Sequence, residues 1–335
     1  MKKAVRSEVT GRSILADVVP LQTPYVVTIY IGDICNFKCK YCEHSLGGGI
    51  YTQDKHIVPE FMTWEQFIKV ADQLKKFPQK IKKILFSSIG EPLLNKNLPN
   101  MIEYIKKNGV AKVCEVVTNA SLLTHKLSKD LIDSGLDRLC VSIQGVSENK
   151  YKEISQVKID YENLREELGY FYRYSRGKCK LHIKTVNIAL DDGEDEIFYQ
   201  HFGIISDTCY IDNVIPLFQN VDYSDMVKDV SKDLYGNTIK KQRVVCSSIF
   251  FTLFILPNGE VVPCCVPPYP LIFGNIQNED VVDIWNGNAR INFLKYHLEG
   301  KRFEHQVCKG CMQPNAMNME EDDLDHKRDE LLDRL

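Results

Sequence analysis

Six apolar runs of strand length alternate with segments of helical period along most of this chain, and that alternation constrains its fold more than any other feature. The strand-like runs are 25–31, 83–87, 113–118, 138–143, 180–186 and 209–214. Between the first two, 63–77 carries Phe67, Val70, Ala71 and Leu74 at helical spacing, and Thr63 with Gln66 forms a capping box. Further helical stretches occupy 98–107, 125–134, 161–174 and 195–202, with Gly109 and Gly135 where helices should end. Strand–helix alternation of this kind predicts a parallel sheet with crossover helices. It leaves open whether that sheet is doubly wound or curls into a barrel.

Past about residue 222 the pattern changes. Residues 249–256, the turn Pro257–Asn258–Gly259 and residues 260–263 predict a β-hairpin. A proline-rich patch (Pro263, Pro267, Pro268, Pro270), a helix over 281–298 and two more cysteines follow. We therefore expect an extension at 1–24, a core at 25–230, a smaller domain at 231–319 and a charged helical tail at 320–335. In the tail, Leu324, Leu331, Leu332 and Leu335 make a thin apolar stripe. At 335 residues, 44% hydrophobic and 26% charged, the chain can bury a substantial core, and its composition excludes disorder, collagen and coiled coil as the dominant state. With 42 Lys+Arg against 45 Asp+Glu, the net charge of −3 argues against nucleic acid as a partner.

Twelve cysteines need an explanation. Residues 1–20 mix Lys, Arg, Glu and Asp without an apolar signal core, and the longest strongly apolar run, 249–256, is too short to cross a bilayer. The expectation is a cytoplasmic chain with no membrane partner, in a reducing compartment where clustered cysteines bind metal. Cys35, Cys39 and Cys42 form C-x3-C-x2-C after the first strand, three soft thiolates suited to iron–sulfur or zinc. His44 would complete a zinc site. Cys246, Cys264, Cys308 and Cys311, separated by 17, 43 and 2 residues, suit a closed zinc site or a fully ligated 4Fe–4S cluster. Cys265 competes with Cys264 as ligand, and Cys114, Cys140, Cys179 and Cys209 read as buried thiols.

With aromatic Tyr41 before its last cysteine, the first cluster resembles the signature of the radical S-adenosylmethionine (radical SAM) superfamily. The resemblance implies a 4Fe–4S cluster whose open iron chelates SAM, and reductive cleavage of SAM to a 5′-deoxyadenosyl radical that takes a hydrogen atom from substrate. It also implies a partial (β/α)6 TIM-like barrel and an external one-electron reductant such as flavodoxin or ferredoxin. Ser88–Ile89–Gly90–Glu91–Pro92 is similar to the family's G-G-E-P segment, with Ile89 at the first glycine. There Gly90 would allow close backbone approach and Glu91 would accept hydrogen bonds from the methionyl ammonium. Thr118–Asn119–Ala120 resembles T-N-G, and Val141–Ser142–Ile143–Gln144–Gly145 resembles V-S-I-D-G with Gln144 in place of the acid. The resemblance gives Ser142 a ribose contact and Val186 an adenine contact. The arginine that family members often carry after this segment is absent, leaving Lys152 or Lys158 for the SAM carboxylate. Cys246 with Gly259 and Cys264, then Phe273–Gly274–Asn275–Ile276, Trp285, Cys308 and Cys311, resembles the auxiliary-cluster domains called SPASM and twitch. No cysteine follows Cys311, which points to the shorter twitch type with one auxiliary 4Fe–4S cluster.

Strand alternation carries the expectation further. If Ser142, Val186 and Asn119 face the lumen, so do Cys140, Gln144, His182, Lys184, Glu115 and Val117. Glu115, His182 and Lys184 are then candidate substrate contacts, or partners in an internal salt bridge. Relatives of this type divide between oxidation of sugars or aminocyclitols and modification of peptides, and an auxiliary cluster can accept the substrate electron. The 24 residues before the first strand are too few for a leader-binding domain, which favours dehydrogenation or epimerisation of a sugar, aminocyclitol or sugar nucleotide. The alternatives are a maturase acting on a ribosomally made peptide, a structural zinc-binding interaction protein and an iron–sulfur electron carrier.

Overall fold

In the computed structural model, which describes residues 12–46, 60–87 and 90–335, the strand signals assemble into a single sheet. Nine strands lie in the order β6-β5-β4-β3-β2-β1-β7-β8-β9. The parallel set is β1 (Val26–Ile29), β2 (Ile81–Phe86), β3 (Ala111–Thr118), β4 (Arg138–Ile143), β5 (Lys180–Val186) and β6 (Thr208–Asp212). Consecutive strands are neighbours, as βαβ crossovers require, and the sheet does not close. This is the expected partial barrel.

Helices cover one face of the sheet. A short α1 (Leu15–Val18) precedes β1, and α2 (Trp64–Leu74) starts at the expected capping box: Thr63 Oγ1 accepts from Gln66 N at 3.2 Å, and Thr63 N donates to Gln66 Oε1 at 2.7 Å. Its buried residues are Phe67, Val70, Ala71 and Leu74, the four that the periodicity selects. Then come α3 (Leu98–Lys107), α4 (His125–Asp133), α5 (Glu148–Ser155), α6 (Tyr161–Tyr174) and α7 (Glu194–Phe202). Ile84, Phe86, Cys114, Val116, Leu139, Val141, Leu181 and Ile183 point into this helix-side core and are fully buried. The alternate residues line a concave face.

The C-terminal segment follows the core as a small domain whose hairpin is joined to the main sheet. Residues 248–251 form a helical turn, α8 (Ser248–Phe251), before β7 (Thr252–Ile255), and β7 pairs in parallel with β1. The hairpin is present, with β8 (Glu260–Val262) antiparallel to β7 and Gly259 at φ 86° in its turn, and β9 (Gly274–Asn275) beyond. It extends the main sheet rather than forming one of its own, because β7 is buried on both faces and β1 has a free edge. The helix expected over 281–298 is two: α9 (Val281–Asn286) and α10 (Asn288–Leu298), with Gly287 extended between them (φ −73°, ψ 154°). Arg290 Nη1 donates to the freed Trp285 carbonyl at 3.0 Å. After the short α11 (Gln313–Ala316), the tail helix α12 (Arg328–Arg334) is docked. Leu324 and Leu331 are buried, Lys327 pairs with Asp17 at 2.6 Å, and Arg334 donates to the carbonyls of Ala16 and Val19.

Candidate active site

The loop after β1 carries Cys35, Cys39 and Cys42 and is braced by the C-terminal end of α5. Lys38 N donates to Ser155 O and Lys40 N to Ile154 O, both at 2.9 Å, and Gln156 Nε2 donates to Lys38 O at 2.7 Å. Phe37 is buried edge-on against Tyr151 at 6.3 Å. Burial pushes the Cys35 thiol up to about 12, and burial together with the neighbouring thiols raises Cys39 well above its usual range. Three thiols that would repel one another as bare thiolates suit a cationic iron centre, which reverses that cost. Among the described residues no three His, Cys, Asp or Glu side chains close up as ligands of one metal ion.

The ends of β2 to β5 surround this loop. Ser88 and Ile89 lie outside the described residues. Gly90 meets the cysteine loop itself: a Cβ there would stand 2.5 Å from Ile34 O and 2.7 Å from Ile34 N. Glu91 is buried, and its carboxylate accepts from Leu93 N (2.9 Å), Thr118 Oγ1 (2.5 Å) and Asn119 N (2.8 Å). Burial is the main cause of its raised pKa. One of about four lone-pair sites is left for a ligand, so Glu91 first joins the β2 and β3 ends. Asn119 Nδ2 donates to Asn36 Oδ1 at 2.9 Å, and Asn36 Nδ2 donates to Ser121 Oγ at 2.8 Å, lacing the β3 end to the cysteine loop. Ala120 adopts φ 57°, the conformation for which the family pattern carries glycine.

Tyr41 OH donates to Gln144 Oε1 at 2.6 Å, which gives the neutral Gln144 a partner where the family pattern has an acid. Tyr41 also packs with Val186, Ile188, Val214, Phe218, Val221 and Tyr223 in an apolar cluster. Tyr223 OH donates to the Tyr41 carbonyl at 2.9 Å. Lys152 and Lys158 are exposed, while Lys150 is buried between Glu153 and Asp191.

The alternation argument holds on the concave face. Strand register aligns Glu115 with Arg138, Cys140 with His182, and Ser142 with Lys184, all on the face opposite the helices. Glu115 meets Lys83 at 3.3 Å and Arg138 at 3.7 Å. His182 Nδ1 contacts Thr208 Oγ1 at 2.6 Å, its Nε2 has no partner among the described residues, and burial lowers its pKa. Lys184 Nζ lies 3.4 Å from Asp212 Oδ2. At about 3.3 Å per strand residue, Lys184 stands ~7 Å below Val186, and Glu115 lies deepest. Sequence reasoning omitted Lys83, Arg138, Thr208, Tyr210 and Asp212. Following the alternation to the start of β4 and extending it to β2 and β6 would have found them. Of the four remaining cysteines, Cys114, Cys179 and Cys209 belong to the helix-side core, whereas Cys140 faces the cavity, 3.9 Å from Tyr210 OH.

A second thiol group forms where β7, β8 and the C-x2-C segment meet. Cys246 Sγ lies 3.3 Å from Ser248 Oγ and 3.2 Å from Gln313 Oε1. Cys264 and Cys265 each feel the charges of Cys246 and Cys311, and so does Cys308, so both members of the Cys-Cys pair are within reach of the group. Burial pushes Cys246 to about 11 and Cys265 and Cys308 to about 12. Cys265 packs beside Tyr30, Phe254, Leu256 and Val262, and Cys264 Sγ points to Val266 O at 3.6 Å. Sequence reasoning also passed over Arg302, whose Nη1 donates to Cys308 O at 2.9 Å and to Cys311 O at 3.3 Å.

A cysteine loop at the strand ends and a second thiol group on the extended sheet give the chain two places where soft thiol ligands gather. Residues 29–197 match the radical SAM superfamily and residues 246–312 match the SPASM iron–sulfur cluster-binding domain. The chain belongs to the radical SAM superfamily and carries a C-terminal SPASM domain. These domains imply a 4Fe–4S cluster, an auxiliary iron–sulfur cluster and SAM. The chain is 22% identical over 322 residues to a tungsten-containing aldehyde ferredoxin oxidoreductase cofactor-modifying protein of Pyrococcus furiosus, covering 84% of this chain and 85% of that one. A GTP 3′,8-cyclase of Staphylococcus epidermidis is 31% identical over 144 residues, 42% of this chain and 40% of the relative. Similar solved structures are BtrN in complex with AdoMet and 2-DOIA (TM-score 0.55, 19% identity, 86% of this chain and 92% of that one). AnSMEcpe with bound AdoMet gives 0.61 at 16% identity (93% and 96%), and Streptococcus suis SuiB bound to precursor peptide SuiA gives 0.58 at 16% (82% and 67%). At these identities the likeness is one of fold. Among the described residues no helix is long and apolar enough to cross a membrane.

Proposed function

We propose that this radical SAM enzyme abstracts a hydrogen atom from an unactivated carbon of a small polar substrate, a sugar, aminocyclitol or sugar nucleotide, in a dehydrogenation or epimerisation. When bound, the reduced cluster and SAM supply the radical. In this reading Cys35, Cys39 and Cys42 hold the first cluster, and Cys246, Cys264, Cys308 and Cys311 the second. Residues 25–230 serve as the catalytic core, with 231–319 as the twitch-type domain. Gly90, Glu91 and Asn119 shape the SAM end of the cavity, Ser142 meets the ribose, and Val186 with Tyr41 offers adenine an apolar platform. The observation that carries the substrate class is the Lys184–Asp212 pair on the concave face, with Lys184 level with Ser142 and Asp212 level with Val186. There the ammonium can donate to a substrate hydroxyl and the carboxylate can accept its proton.

Lys184→Met is the test. Turnover of a polyol or amino-sugar panel should vanish while iron content and slow SAM cleavage without substrate persist. Retained turnover would remove Lys184 from the site. Turnover of a precursor peptide alone would replace the sugar reading with a maturase.

A further inference from the structure

Arg302 is among the largest side chains buried in the molecule, at 1% exposure. Its guanidinium donates to four backbone carbonyls: Val244 (3.2 Å), Cys308 (2.9 Å), Cys311 (3.3 Å) and Arg243 (2.8 Å). Carbonyl dipoles satisfy its N–H groups but do not neutralise its charge. A buried cation without a counter-anion costs several kcal/mol or more, roughly, after relaxation. Among the described residues no carboxylate forms an ion pair with Arg302. The guanidinium lies 4.3 Å from the centre of the Phe303 ring, its charge is felt at Cys246, Cys308 and Cys311, and two of its carbonyl partners belong to the C-x2-C segment.

Arg290 provides the contrast. It is also buried, binds the carbonyls of Trp285, Ile249 and Phe250, and lies 3.3 Å over the Trp285 ring. Both guanidinium groups therefore meet an aromatic face, but of the two it is the charge of Arg302 that is also felt at the thiols of the second group.

We propose that Arg302 is the built-in counter-cation of the auxiliary iron–sulfur cluster, raising its reduction potential and so its capacity to accept an electron from the substrate side. The inference rests on the reading that Cys246, Cys264, Cys308 and Cys311 hold such a cluster. Four thiolates make a four-iron site anionic, more so after it gains an electron, and a fixed cation in a low-dielectric surrounding stabilises the reduced state most. Arg302 acts here by position: it touches the ligand backbone, not the substrate.

The test uses the full-length chain, anaerobically reconstituted, with Cys35, Cys39 and Cys42 changed to Ala so that only the auxiliary centre is read. Iron and sulfide are counted, and the midpoint potential is followed by electron paramagnetic resonance during a redox titration. Arg302→Gln should keep its iron and shift the potential to more negative values, while Arg302→Lys, which keeps the charge, should stay near the parent. Iron retained with an unchanged potential in Arg302→Gln would overturn the inference while leaving the cluster standing. If Arg302→Gln loses its iron, Arg302→Lys decides: iron at the parent potential supports the charge, and loss of iron there shows a scaffold role only. Zinc, or no metal, in the parent itself would remove the cluster reading and this inference with it.

Discussion

Glu91 shows how one side chain can be committed to the scaffold before any ligand arrives. Its carboxylate bridges Leu93, Thr118 and Asn119 in a buried setting. Replacing it with Gln turns half of that acceptor into a donor facing the Asn119 N–H, which should cost about 1–3 kcal/mol in chemical unfolding. A midpoint equal to that of the parent would show that the three bonds contribute nothing net. Lys184 differs because it faces the cavity and its ion-pair partner, Asp212, is the more buried of the two. Lys184→Met takes the counter-charge from that buried carboxylate, whereas removing Asp212 leaves an ammonium that can reach water, so Lys184→Met should cost the more stability while both changes lower turnover. Unfolding curves for the two variants make that comparison. The candidacies of Glu115, His182 and Lys184 were legible from alternation alone, because side chains two residues apart share a face of any strand. Which residue pairs with which was not, since Asp212 and Thr208 lie 28 and 26 residues from Lys184 and His182 and the β5–β6 register comes from the fold.

At the level of elements, the cysteine loop is held by neighbours from distant parts of the chain. Gly90 lets the turn after β2 press on Asp33 and Ile34, and the end of α5 supplies Ile154 and Ser155 as acceptors. Gly90→Ala should push that loop away, halving iron from about eight to about four per chain while the auxiliary centre stays filled. Full iron in that variant would show that the loop can yield. Helix α2 carries a different sort of prediction. Phe67 is fully buried and stacks near Trp64, Phe86 and Tyr104, so Phe67→Ala should cost about 3–5 kcal/mol in unfolding. The sequence announced α2 through its period and its capping box. It was silent about the role of α5, whose value is the end it offers to the cysteine loop.

Across the whole molecule, the two cysteine groups share one continuous sheet. β7 continues from β1, so the auxiliary centre hangs on a strand hydrogen-bonded to the one that leads into the first cysteine loop. Gln73 on α2 fastens the junction by accepting from Val281 N at 2.8 Å and donating to Glu279 O at 2.9 Å. Changing Cys35, Cys39 and Cys42 to Ala should leave about four of about eight irons, the remainder belonging to the second group. No loss of iron in that variant would detach the first motif from metal binding. By itself the sequence determined the order of strands and helices, the face that each strand buries and the cysteines that can hold metal. These depend on residue type, on spacing and on local period. Only the tertiary structure decided that the hairpin joins the main sheet, that Glu91 and Asn119 lace the strand ends to the cysteine loop, and that Arg302 lies beside the second thiol group. Each of those depends on which distant segments share a buried space, where an unpaired strand edge or an unpaired charge must find a partner.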